Sequence, residues 1–200
     1  MSTSNWTGRY SKLIHALKEE EDSTDITKFV KTLRLIEKDW STHGIMKTAI
    51  YVNRLDFVDS IIKMDPSIIS YKDEAQTTYL LEAINRSYVT SNFAIIHLMI
   101  KRGFDVNART NNGITPLIAA TLSKNSSIVT LLVENGADID RQGFDGNTAL
   151  IIATYCFEQV PNLIKLGAFV NIRNNYGFSA FENILARKEI SAMKLIAFCT

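Results

Sequence analysis

Residues 110–140 read Thr110-Asn111-Asn112-Gly113-Ile114-Thr115-Pro116-Leu117-Ile118-Ala119-Ala120, then a polar break at Ser123-Lys124-Asn125-Ser126-Ser127, then Ile128-Val129-Thr130-Leu131-Leu132-Val133-Glu134-Asn135-Gly136-Ala137-Asp138-Ile139-Asp140. Each part carries a local instruction. Gly113 supplies the positive φ of a tight turn, and the Thr115 hydroxyl caps the helix that follows. Pro116 sits at the first helical position, where its missing N–H leaves no bond unmade. Leu117, Ala119 and Ala120 predict a short helix with a small face that lies close against a neighbour. Ile128, Leu131, Leu132 and Val133 predict the apolar stripe of a second helix, which Gly136 ends in the left-handed conformation. One such helix pair cannot bury its own apolar face and needs copies on either side.

The copies are present. Gly113 is followed by Gly146 and Gly177, and Gly103 by Gly136 and Gly167, a recurrence of about 31 to 33 residues. The period, with Gly-x-Thr-Pro-Leu-x-x-Ala-Ala and Leu-Leu-x-x-Gly-Ala-Asp in residues 110–142, resembles the ankyrin repeat. Asp145-Gly146-Asn147-Thr148-Ala149-Leu150-Ile151-Ile152-Ala153 and Arg102-Gly103-Phe104-Asp105-Val106-Asn107-Ala108 match it as well. The resemblance implies an all-α solenoid of about six helix-turn-helix repeats with β-hairpin-like tips. The family is a binding scaffold rather than a chemistry, so it narrows function only to a class.

The chain of 200 residues is ample for one elongated domain. With 46% hydrophobic and 22% charged residues its composition is that of a soluble globular protein. A net charge of +1 argues against a phosphate-driven nucleic-acid partner. No apolar run reaches the roughly 18 residues a membrane helix needs, and the start, Met1-Ser2-Thr3-Ser4-Asn5-Trp6, lacks the regions of a signal peptide. The expectation is a cytoplasmic protein, the nucleus remaining open. Cys156 and Cys199 fall in stripes of different repeats, which favours two free buried thiols over a bridge.

In chain order, residues 6–40 fit a degenerate capping repeat, with Leu13 to Leu17 and Ile26 to Ile36 as helices. Residues 41–72 form a second degenerate repeat, with helices at Ile45 to Val52 and Leu55 to Met64, and Asp65-Pro66 in place of the glycine stop. Residues 73–109 put Gln76-Thr77-Thr78-Tyr79-Leu80 in the Gly-x-Thr-Pro-Leu slot, with Ile95 to Lys101 as second helix and a projecting loop at Ser87 to Asn92. Residues 110–142 and 143–174 follow, the latter with a shortened turn at Phe157-Glu158-Gln159. Residues 175–200 close the array, with Met193, Leu195, Ile196 and Phe198 on a last helix that either packs inward or self-associates. The histidine of the family's Thr-Pro-Leu-His tetrapeptide is replaced by Ile118, Ile151, Leu81 and Glu182. Its side-chain hydrogen bonds between repeats should therefore be missing, leaving apolar packing to carry more of the interface and the end repeats to fray first.

No enzyme chemistry is indicated. His15, His43 and His97 have no metal-ligand spacing, and Cys156 has no base in any nucleophile pattern. No phosphate-cradling or paired-carboxylate motif occurs, so no catalytic, cofactor or metal residue is expected. The expected site is a protein-binding surface. In ankyrin-like stacks the tips line a concave groove beside the inner helices, and by register the tip residues are Arg109, Asn111 and Asn112, then Phe144 and Asp145, then Arg173 and Tyr176. Arg86, Leu122 and Tyr155 face the same groove from the inner helices. Aromatic residues and arginine most often anchor interfaces, which marks Phe144, Tyr155, Tyr176, Arg109 and Arg173 as the centre. The alternative for Phe144 is that it folds back onto its neighbouring hairpin. Asn107 and Asn171 look like the family's asparaginyl-hydroxylation position, or else simply hydrogen-bond across their hairpins.

The leading expectation is thus a monomeric, non-enzymatic adaptor or inhibitor with a protein partner. Degenerate outer repeats and an Ile-, Asn- and Lys-rich composition also resemble ankyrin proteins of viruses or intracellular pathogens, whose partners are host signalling proteins. The same composition occurs in any AT-rich genome. The runner-up is an oligomerising protein that associates through its C-terminal helix.

Overall fold

The computed structural model describes residues 42–87, 92–155 and 159–186. Within them the chain forms helix pairs: α1 (Thr42–Tyr51) with α2 (Leu55–Met64), α3 (Tyr79–Arg86) with α4 (Phe93–Lys101), α5 (Pro116–Leu122) with α6 (Ser126–Glu134), and α7 (Ala149–Ala153) with α8 (Val160–Lys165); α9 (Ala180–Ala186) opens the next unit. Helices α1, α3, α5, α7 and α9 pack successively as an inner row, and α2, α4, α6 and α8 as an outer row. One apolar core runs between the rows from Ile45 to Ile184.

Sequence rules place the helix starts. The hydroxyls of Thr78, Thr115 and Thr148 accept from the backbone N–H groups of Leu81, Ile118 and Ile151 at 3.3, 3.2 and 3.2 Å, each cap contributing about 1 kcal/mol. In α9, Ser179 and Glu182 form a reciprocal capping box: the Ser179 hydroxyl accepts from the Glu182 N–H, and the Glu182 carboxylate accepts from the Ser179 N–H at 3.0 Å. The replacement of histidine by Glu182 thus has its own local role. Pro66 does end α2, and it goes on to begin a 3-10 turn (Pro66–Ser70) that buries Ile68. The stripe of α6 is Ile128, Val129 and Leu132, all fully buried, with Leu131 and Val133 only half-buried; the helix is rotated toward its i, i+1, i+4 face because α4 and α8 flank it.

The tips are turns rather than ribbons. Each is closed by a backbone bond across five residues: Asp73 N–H to the Thr77 carbonyl, Thr110 to Ile114, Gly143 to Asn147, and Asn174 to Phe178, with a second bond returning to the first residue's carbonyl from Gln76, Gly113, Gly146 and Gly177. An isolated bridge between Arg173 and Ser179 is the β pairing among the described residues. The left-handed residue of the last turn before the cap is glycine at Gly146 (φ 71°) but glutamine at Gln76 (φ 60°).

Inter-repeat polar bonds are not missing; asparagine and glutamine supply them where histidine does not. Asn111 donates its backbone N–H to the Ala75 carbonyl and its Nδ2 to the Glu74 carbonyl, at 3.0 and 2.9 Å. Gln142 Nε2 donates to the Arg173 carbonyl at 2.8 Å, and Asn183 Nδ2 to the Thr154 hydroxyl at 3.2 Å. Ile118, Ile151 and Leu81 are fully buried as the loss of histidine requires. Ile118 also reaches under the next tip: a Cβ on Gly143 would meet its Cδ1 at 2.3 Å and the Gly113 carbonyl oxygen at 2.6 Å.

The first repeat at 6–40, the insertion at 88–91, Cys156, Phe157 and Glu158, and the final helix with Cys199 lie outside the described residues. No helix among the described residues is long and apolar enough to cross a membrane.

Candidate functional site

Between the tips and the C-terminal ends of α5 and α7 lies a groove of about 500 Å³. Its upper rim is built from large side chains that the core does not use. Leu122, the last residue of α5, is 52% exposed; Tyr155, two residues beyond α7, is 61% exposed; Tyr176, at the tip of the turn before α9, is 67% exposed. Phe144 forms a wall. It is half-buried and rests against the core, so it folds back onto its own stack while still lining the groove. Ile152 and Thr121 lie beneath.

The floor is polar and its orientation is fixed by chemistry. Asn174 Oδ1 accepts from the backbone N–H groups of Tyr176 and Phe178, both at 3.0 Å. Only a carbonyl oxygen can do this, so Asn174 Nδ2 is the group that donates to Asn147 Oδ1, at 2.8 Å. This bond ties two successive tips together through residues that are 6% and 8% exposed, and it leaves the Asn147 Nδ2 as the remaining arm of that side chain. Beside it Asp145 holds a left-handed backbone conformation (φ 54°), which presents its side chain at the exposed rim. Among the described residues its carboxylate has no hydrogen-bond or ion-pair partner.

Five of the residues singled out from sequence therefore meet here: Leu122, Phe144, Asp145, Tyr155 and Tyr176. Arg86, Arg109, Asn111, Asn112 and Arg173 do not line the groove. Arg109 and Asn112 are exposed on the preceding tip. Asn111 is engaged by its bonds to the hairpin before it. Arg173 is turned toward α9, where its guanidinium pairs with Glu182 at 2.7 Å and donates to the Gly177 carbonyl. The backbone bond from Ser179, ahead of the Arg173 contacts, holds the Glu182 carboxyl below its ordinary value. Asn147, Asn174, Thr121, Lys124 and Ile152 were not anticipated. An asparagine bridging two turns leaves no period in the sequence, and only the repetition of asparagine at the tips hinted at it.

The N-terminal half of the same face is arranged differently. The Arg86 guanidinium lies 4.6 Å from the Tyr51 ring centroid. Glu82 lies 3.8 Å from Lys47 and 3.9 Å from Arg86, and its burial outweighs both cations in holding its carboxyl above the ordinary value. His43 stacks on Tyr71 with centroids 4.0 Å apart. Its Nδ1 lies 2.6 Å from the hydroxyl of the buried Tyr79. Burial pushes that hydroxyl above the tyrosine range, so it stays protonated.

Asn107 joins repeats rather than the two sides of its own hairpin: Nδ2 donates to the Gly136 carbonyl at 2.9 Å and Oδ1 accepts from the Asp138 N–H at 2.8 Å. Asp140 repeats the second bond with the Phe169 N–H at 2.9 Å, and burial holds its carboxyl above the ordinary value. Among the described residues no three His, Cys, Asp or Glu side chains converge as metal ligands.

A family model described as ankyrin repeats (3 copies) matches residues 45–143 and 80–174, from within α1 to beyond α8. A search of curated proteins finds no match.

Proposed function

This chain belongs to the ankyrin-repeat family, and on that premise we propose that it is a non-enzymatic adaptor or inhibitor that binds a partner protein through the C-terminal half of its concave face. Ankyrin repeats generally mediate protein–protein interaction. The observation that carries the finer reading is the groove itself. Leu122, Tyr155 and Tyr176 expose more than half of their surface around one concavity. Large side chains at a concave rim gain contact area on association, as interface anchors do. A protein of a virus or intracellular pathogen acting on a host factor in the cytoplasm is the setting that the composition favours.

The test is affinity purification from cell lysate with the intact chain and with a Tyr155→Ala/Tyr176→Ala variant, read by mass spectrometry. Both side chains are exposed, so the variant keeps its fold. A partner held by the intact chain and lost by the variant supports groove binding. A partner held equally by both moves the interface off this groove.

A further inference from the structure

We infer that the groove takes a basic peptide segment, with a lysine or arginine side chain of the partner placed among Phe144, Tyr155 and Tyr176 and its charge answered by Asp145; this rests on the proposed concave-face binding. Three aromatic rings and one carboxylate line the same groove. Aromatic faces carry negative quadrupole charge and attract cations, and the attraction grows as the site is desolvated. Asp145 adds a full negative charge with no partner among the described residues. Of the nearby cations, Arg173 is paired with Glu182, and Lys124, which also lines the groove, has an interaction of its own.

The opposite half of the face shows the same chemistry already satisfied within the chain. There Arg86 sits over the Tyr51 ring with Glu82 as its anion. Eight residues after the helix cap, where Arg86 follows Thr78, the sequence has Ser123 after Thr115 and Cys156 after Thr148 in place of an arginine. The groove therefore has the ring and the carboxylate without the guanidinium. The floor adds a direction. Asn147 is 6% exposed and lines the groove, and its Nδ2 has no partner among the described residues. An amide donor at the base of an apolar groove fits a backbone carbonyl of an extended peptide lying across it.

The experiment is to pan the full chain with a random dodecapeptide phage library, counter-selecting on the Tyr155→Ala/Tyr176→Ala variant. Enriched peptides are then synthesised and titrated against the intact chain and against Asp145→Asn, which keeps the left-handed backbone and the side-chain shape but removes the charge. The expected result is that groove-dependent peptides share a lysine or arginine, and that both Asp145→Asn and replacement of that residue by glutamine weaken binding about 5-fold or more. Adding the second change to the first should then cost little. Groove-dependent peptides without a basic residue, or an unchanged affinity in Asp145→Asn, would overturn the basic-segment inference and leave groove binding standing. No groove-dependent peptide at all would overturn both.

Discussion

The two halves of the concave face share one backbone plan and opposite chemistry. Across α1 and α3, Lys47, Tyr51, Glu82 and Arg86 answer one another, and His43, Tyr71 and Tyr79 stack into a closed cluster. Across α5, α7 and the tip before α9, Leu122, Tyr155 and Tyr176 are each more than half exposed around a groove whose Asp145 carboxylate has no partner among the described residues. Both halves share the repeat fold, and what separates them is how far each side chain is already satisfied within the chain: a paired side chain must break that contact before it meets a partner.

The largest effect that would break this contrast lies in binding. Tyr155→Ala and Tyr176→Ala should each weaken partner affinity by at least about 2 kcal/mol, roughly 30-fold, in isothermal titration calorimetry, while Arg86→Ala changes it by no more than about 2-fold. Equal losses from all three would erase the distinction between the halves. The next effect concerns how the tips interlock. Gly143→Ala should destabilise the chain by about 1–3 kcal/mol in urea unfolding, since its Cβ would collide with Ile118 and the Gly113 backbone. At the equivalent joint of the N-terminal half, where Gln76 holds φ 60°, Gln76→Gly should stabilise by about 0.5–1 kcal/mol.

The smallest effect is a pH signature of opposite sign in the two halves. Glu82 is held above 4.5 in the folded chain, so its contribution is full below that value and is lost as pH rises through its folded pKa; Glu82→Gln should gain on the parent as pH rises toward 7. Glu182 is held below 4.5, so its contribution is present above that value and is lost as pH falls; the deficit of Glu182→Gln should shrink with acidification. Urea midpoints of both variants from about pH 3.5 to 7 check the two signs.

The repeats were legible because their signals are local and periodic. Thr115, Pro116 and Gly136 each act within one turn of their own position, and the helix ends follow from them. Phe144, Asp145, Tyr155 and Tyr176 could be placed on one face by register alone. What register could not supply was the use of each side chain. Arg173 and Asn111 occupy tip positions as well as Tyr176 does, yet Glu182 and the Glu74 carbonyl engage them. Those partners lie 9 and 37 residues away, and no pattern in the chain announces them. The Asn147–Asn174 floor was hidden for the same reason.

The central claim is that a partner covers the C-terminal half of the concave face and leaves the N-terminal half bare. Amide hydrogen exchange of the full chain, alone and saturated with a captured partner, measures this directly. Slowed exchange is expected at residues 121–124, 144–147 and 174–177, with no change at 47–51 and 71–79. Protection confined to the N-terminal segments would contradict it.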